Sequence, residues 1–199
     1  NISSHTGMKG HEETIRIFNK SHIKNAKLII VGNDMPGGCL MTCKIRSFLS
    51  NINLINIFFN KKISIISLSR EETIDLLKEA DLFLFPSNIE CSPLVLFEAM
   101  ASKTPFLTTD VGNAVEIIDW SQGGMMIPTY IDKNGYSRAN ISEGVHILEY
   151  LFFDKEVREK LAQCGYQTWK KRFTWEIIAK QYEKLYISLM KEEISNKSY

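Results

Sequence analysis

Excess charge of either sign is nearly missing from this chain. Its 24 basic and 23 acidic residues leave a formal net charge of +1 over 199 residues. So balanced a chain carries no electrostatic footprint for nucleic acid. Cysteine is scarce as well. Cys39, Cys43, Cys91 and Cys164 are too few for a disulfide scaffold in a chain of this size. Cys39 and Cys43 stand four apart, a helical spacing, but no second ligand pair follows them, so reduced thiols rather than a zinc site are expected. His5, His11, His22 and His146 are scattered without ligand spacing, and no metal is expected. Reduced thiols point to the cytoplasm. No apolar run reaches the length of a membrane span. The start, NISSHTG, has no signal-peptide pattern and reads as the edge of a fragment. Internal repeats and linkers rich in Pro, Gly or Ser are lacking, which leaves one unit over residues 1–199.

What is present is an ordinary globular mixture, 44% hydrophobic and 24% charged, which excludes disorder and fibrous repeats. Short apolar runs alternate with longer amphipathic ones. KLIIVG (27–32), KISII (62–66), DLFLFPS (81–87), PFLTT (105–109) and GGMMIP (123–128) read as strands. Helical spacing marks 11–20, most of 40–58, 69–80 behind a Ser69–Glu72 capping box, 92–103, a short helix within 111–119, and the closing segments 141–152, 155–171 and 174–193. Thr174 is placed to cap the last. Apolar strands separated by helices predict an α/β fold, a Rossmann-like parallel sheet with helices on both faces and a helical C-terminus.

In such sheets ligands bind beyond the carboxyl ends of the strands. Four loops should open there: SHTGMKGH (4–11), VGND (31–34), PSNIECSP (86–93) and TTDVGN (108–113). In the third, Ser92 is a good N-cap and Pro93 suits the first helical position, so the amides of Leu94 and Val95 face out as a phosphate site. Most Ser-Pro helix starts bind nothing. Glu98 is the one charged side chain in residues 93 to 101. At ~1.5 Å per residue it lies about 7 to 8 Å along the helix from Pro93, within reach of a ribose attached to that phosphate. A glutamate on the wet side of the helix explains the same spacing, and by spacing alone is slightly favoured. Glu90 lies on the loop, where a solvated acid is the commoner case. Lys9 between Gly7 and Gly10 can meet a phosphate as a point charge, though the loop lacks P-loop spacing.

Together, MKGHEETIRIF (8–18), ADLFLFPSNIECSPLVLFEAMASKTPFLTTDVGNAVEII (80–118), GGMMIP (123–128) and FTWEIIAKQYEKLY (173–186) resemble the C-terminal, donor-binding domain of retaining GT-B glycosyltransferases of the group 1 type. The resemblance spans nearly the whole chain. Glu-x7-Glu alone is moderately specific, but with the preceding strand and the following EAMA-x-x-x-P it is strong. It implies a nucleotide diphosphate sugar as substrate, no cofactor and no metal. It implies transfer of the sugar to an acceptor hydroxyl with retention of configuration. Glu98 would hold the ribose and Glu90 would contact the donor sugar ring. The amides after Ser92 and Pro93, at Leu94 and Val95, would hold the diphosphate. Lys9 would neutralise the leaving phosphate, and the base would rest near Ile66 and Ser67. Departures are Cys91 where glycine is common, Pro93 in place of an amide donor, and no arginine ahead of Lys9, where either His5 substitutes or binding differs.

The same resemblance implies a missing N-terminal domain that carries the acceptor site for a glycan or lipid-linked glycan. It implies little or no turnover by this chain alone, and peripheral contact of the whole enzyme with a membrane. Two alternatives share parts of the pattern: a nucleotide-sugar epimerase of the same architecture, and a non-catalytic α/β binding module.

Overall fold

A computed structural model describes residues 1–196, with side chains described through Lys191. All five apolar runs are strands: β1 (Ala26–Val31), β2 (Lys61–Ile66), β3 (Phe83–Phe85), β4 (Phe106–Thr109) and β5 (Gly124–Ile127). Every pairing among them is parallel, with Val31 opposite Ile66, Phe85 opposite Thr108 and Thr109 opposite Ile127. The expected single sheet is interrupted, however. β1 and β2 form one ladder and β3–β4–β5 another. The short stretch Asn1–Ser3 adds to the free edge of β1. Val31 N donates to Asn1 O and Ser3 N donates to Val31 O, each at 2.9 Å. Beyond it a cleft of about 580 Å³ separates β1 from β3, lined by Lys27, Ile29, Ala80, Leu82 and Leu84.

Side-chain alternation makes two cores. Phe83, Phe85 and Phe106 point to one face, with Leu96, Met100 and Ile117. Leu84 and Leu107 point to the other, with Ile15, Phe18, Ile30, Ile63, Ile127 and Leu148. Successive strand residues face opposite ways, so continuous apolar runs must be covered on both sides.

The helices that cover them are α1 (His11–Lys20), α2 (Leu40–Asn51), α3 (Leu54–Phe58), α4 (Arg70–Glu79), α5 (Leu94–Ala101), α6 (Ala114–Ser121), α7 (Ile141–Phe153), α8 (Lys155–Arg172) and α9 (Trp175–Asn196). The 40–58 stretch breaks because Asn53 caps a new helix, its side chain accepting from the amides of Ile55 and Asn56. Ser69 and Glu72 form the expected capping box. Thr174 Oγ1 accepts from Ile177 N at 3.4 Å. Phe97 of α5 meets Phe173 edge-on, ring centroids 5.0 Å apart, at the end of α8. Of α9, Trp175, Tyr182, Tyr186, Leu189 and Met190 are exposed.

One element was not expected, an antiparallel hairpin of β6 (Thr129–Ile131) and β7 (Ser137–Ala139). Its turn is built on Asp132, whose Oδ1 accepts from the amides of Asn134 and Tyr136 at 2.8 and 3.0 Å. Among the described residues no helix is long and apolar enough to cross a membrane.

Candidate functional site

The loops at the carboxyl ends of the strands are bonded to one another. His5 N donates to Asn33 O at 3.1 Å, which ties the first loop to the one after β1. Ser67 Oγ, just past β2, donates to Asn33 Oδ1 at 2.8 Å. Asn88 N donates to Met8 O at 2.9 Å, which ties the first loop to the one after β3. Asn113 N donates to Cys91 O at 3.1 Å and brings in the loop after β4.

Two glycines make the close approaches possible. Gly10 has φ +65°, and a Cβ there would stand 1.8 Å from Pro86 O. Gly112 has φ +55°, and a Cβ there would stand 2.2 Å from Cys91 O. Both positions need left-handed backbone and no side chain. The hairpin reaches the same place. Asn88 is buried, with its amide turned so that the nitrogen donates to Ser137 O at 3.1 Å and the oxygen accepts from Arg138 Nη1 at 2.7 Å. Arg138 also pairs with Asp132 Oδ2 at 2.8 Å and with Glu13 Oε1 at 3.2 Å.

Lys9 and Glu90, 81 residues apart in sequence, meet here. Lys9 Nζ donates to Glu90 Oε1 at 2.7 Å, and Ser87 Oγ donates to the same oxygen at 2.9 Å. The Glu90 side chain is 12% exposed, so it is not the solvated loop acid that spacing alone favoured.

Glu98 is different. It is neither buried nor alone, since Arg70 Nη2 donates to its Oε1 at 2.6 Å, and its side chain is 32% exposed. That bond holds Arg70 above its usual value. The acid survives in an apolar helix because it stays partly exposed and pairs with Arg70 of α4, while Leu96, Ala99 and Met100 face the core. Arg70 escaped the sequence reading, although its signal was available. The capping box fixes it as the first residue of α4, four positions beyond Ile66 at the carboxyl end of β2.

Two expected roles are corrected. Ser92 does not cap α5: the helix starts at Leu94, its N-cap is Pro93, and no side chain caps it. Pro93 therefore stands one position before the helical turn instead of within it. The amides of Leu94 and Val95 still open the helix, and first-turn amides have no acceptor inside their own helix. His5 is fully buried, its ring 4.4 Å from that of His11, and is not exposed to meet a ligand. Burial lowers it from its usual value, with Asp34 pulling the other way.

Two of the four histidines and two of the four cysteines are not scattered either. His5, His11, Cys39 and Cys43 meet with their ligand atoms all within 4.8 Å of one another. Burial, and then the charge of His5, pull His11 down to about 3. Burial and the neighbouring Cys39 push the Cys43 thiol up to about 12. Sequence spacing could not show this, because the two pairs lie on separate segments, α1 with its preceding loop and the start of α2.

Comparison with known proteins fits this frame. Residues 2–163 match the family of glycosyl transferases group 1. The chain is 25% identical over 198 residues to the N-acetyl-alpha-D-glucosaminyl L-malate synthase of Bacillus anthracis, covering 98% of this chain and 46% of that protein. It is 25% identical over 186 residues to the capsular polysaccharide biosynthesis glycosyltransferase CapM of Staphylococcus aureus, covering 92% of this chain and 44% of that protein. The chain thus spans less than half the length of these relatives. The fold matches Alr3699/HepE of Anabaena, solved with UDP and glucose, at a TM-score of 0.74, 16% identity, and coverage of 94% and 48%. It matches the C-terminal domain of the group 1 family protein LpcC of Francisella tularensis at a TM-score of 0.69 and 20% identity, covering 87% of this chain and 85% of that domain. The architecture is one half of a GT-B fold, and the chain belongs to the family of glycosyl transferases group 1.

Proposed function

We propose that this chain binds the donor, a nucleoside diphosphate sugar, for a retaining glycosyltransferase that moves the sugar to an acceptor hydroxyl. The observation that carries the reading is the Lys9–Glu90 pair at 2.7 Å, formed on the loop that leads into α5. A cation and a carboxylate held together beside free helix amides suit a leaving diphosphate and the sugar attached to it. Lys9 exchanges Glu90 for the phosphate oxygens as the donor enters. Glu90, freed, accepts from hydroxyls of the sugar ring. The amides of Leu94 and Val95 face the diphosphate. Glu98 releases Arg70 and accepts from the two ribose hydroxyls, and the base rests beyond β2, near Ile66 and Ser67. His5 has no part in donor contact.

Bond cleavage leaves charge on the departing phosphate. Once Lys9 has exchanged Glu90 for phosphate, it and the helix amides are in place before bond cleavage, so they stabilise that charge without further reorganisation. The structure of Alr3699/HepE with UDP and glucose supports a donor of this class. The acceptor, a glycan or lipid-linked glycan, would be bound by a further domain of the whole enzyme, and turnover requires both. The cytoplasmic face of a membrane suits such an acceptor.

Titration of this chain with UDP, GDP and ADP, followed by backbone amide shifts, tests the reading. One nucleotide should move the amides of Lys9, Leu94, Val95 and Ser67. Silence from all three in a folded chain would overturn it.

A further inference from the structure

We propose that His5, His11, Cys39 and Cys43 form a structural zinc site that fastens the loop carrying Lys9 to the start of α2. The argument begins with orientation. Thr14 Oγ1 donates to Gly10 O at 2.8 Å, so it accepts from Asn1 Nδ2 at 3.2 Å. Asn1 Oδ1 is therefore turned toward Ser3, and Ser3 Oγ donates to it at 2.8 Å. With its one hydrogen used, Ser3 Oγ accepts from His11 Nε2 at 2.9 Å. That fixes the tautomer. His11 carries its proton on Nε2, and the bare lone pair of Nδ1 points at Cys39 Sγ, 3.2 Å away. A ligating histidine is normally held in this way, with its second nitrogen donating to a neighbouring oxygen.

Two of the other distances match a tetrahedron, and the set, all within 4.8 Å, would tighten around an ion. Zn–S of about 2.3 Å and Zn–N of about 2.0–2.1 Å put sulfurs about 3.8 Å apart and a sulfur about 3.6 Å from a nitrogen. Cys39 and Cys43 Sγ are 3.7 Å apart, and Cys39 Sγ is 3.6 Å from His5 Nδ1. Two thiols and two imidazoles are a donor set suited to zinc.

His5 is fully buried, so its ring is held among these donors and away from solvent. The backbone is committed to the arrangement as well. Cys39 N donates to His5 O at 3.0 Å, and a Cβ on Gly38 would stand 1.9 Å from that oxygen. Cys39 and Cys43 lie one turn apart at the start of α2, so both sulfurs face the same side. His5 and His11 bracket Thr6–Gly10, the segment that carries Lys9. Binding turns both thiols into thiolates and releases two protons to solvent, with no change of oxidation state.

The test uses this chain purified under reducing conditions without chelator. Elemental analysis should find close to one zinc per chain. The metal-free chain titrated with Co²⁺ should show thiolate-to-cobalt charge transfer and the intense visible bands of tetrahedral cobalt, both lost when zinc is added, since zinc binds more tightly than cobalt. Cys43→Ser should lose the charge-transfer intensity of one thiolate, and Cys164→Ser should leave the spectrum unchanged. Ser3→Ala should weaken metal binding by roughly 10- to 100-fold while keeping all four ligands. A folded, reduced chain without zinc and without cobalt bands would overturn the proposal. So would a spectrum that Cys43→Ser leaves intact. Neither readout depends on nucleotide binding, so this proposal and the donor-site reading fail separately.

Discussion

Lys61 is a buried lysine, 2% exposed at the first position of β2. Its ammonium donates to the carbonyls of Phe18 and Ser21, where α1 ends. Burial pulls it down to about 8, against an opposing pull from Glu149. The native state therefore gives up this proton before the unfolded chain does. Below about pH 8 both states are protonated and the full cost of the buried charge is present. Between about 8 and 10.5 the unfolded state binds more protons, and stability rises with pH by about 3 kcal/mol. Denaturant midpoints across that range should show the rise, and Lys61→Met should remove it. At the site, Glu98→Gln should weaken nucleotide binding roughly 10- to 100-fold, the worth of hydrogen bonds to a charged acceptor. Glu90→Gln removes the carboxylate that competes for Lys9, so it should not weaken nucleoside diphosphate binding, and calorimetry that finds equal losses would contradict their separate roles. Arg70→Ala should do the opposite of Glu98→Gln. It frees Glu98 from an exposed ion pair worth about 0.2–1 kcal/mol, so affinity should improve roughly 1.5- to 5-fold.

At the scale of elements, the site depends on how two short segments are held. α4 is held at its start by the Ser69–Glu72 capping box, which also draws the Glu72 carboxyl below its usual range. Ser69→Ala should cost about 1 kcal/mol in thermal unfolding and loosen the helix end that carries Arg70. The Lys9 loop is held by its approach to Pro86. Gly10→Ala forces an L side chain into left-handed backbone, at about 1–2 kcal/mol, and into contact with Pro86 O. It should lower stability by more than that strain and displace Lys9, so nucleotide binding should fall with it. The strands, the capping box and the carboxyl-end loops were legible in the sequence, because period-2 and period-3.6 patterns and Ser-x-x-Glu act over neighbouring residues. The β6–β7 hairpin was not, although Asp132-Lys-Asn-Gly is turn chemistry, because its strands are three residues each and carry little apolar signal.

At the scale of the whole molecule, two interrupted ladders share two cores. Leu107 and Phe106 are neighbours on β4 but belong to opposite ones. The three tryptophans lie in α6, α8 and α9, and Trp169 packs on the Phe106 side. Leu107→Ala, on the other face, should cost about 2–5 kcal/mol. If the molecule unfolds as one cooperative unit, tryptophan fluorescence should shift with far-ultraviolet circular dichroism in that variant. Separate transitions would show that the ladders unfold independently.

The sequence by itself determined the α/β architecture, the five parallel strands and the resemblance to this family, and it singled out Lys9, Glu90 and Glu98 for the proposed donor contacts. Those features rest on periodicity and on motifs contained within one loop or helix. Only the tertiary structure decided what each side chain meets. It paired Lys9 with Glu90 across 81 residues and gave Glu98 a partner in Arg70. It turned His5 inward to His11, Cys39 and Cys43, a cluster drawn from two segments whose spacing in sequence carries no ligand pattern. The physical reason is the same in each case. A charge or a ligating atom finds its partner through space, at a few ångströms, and the chain between the partners can be of any length.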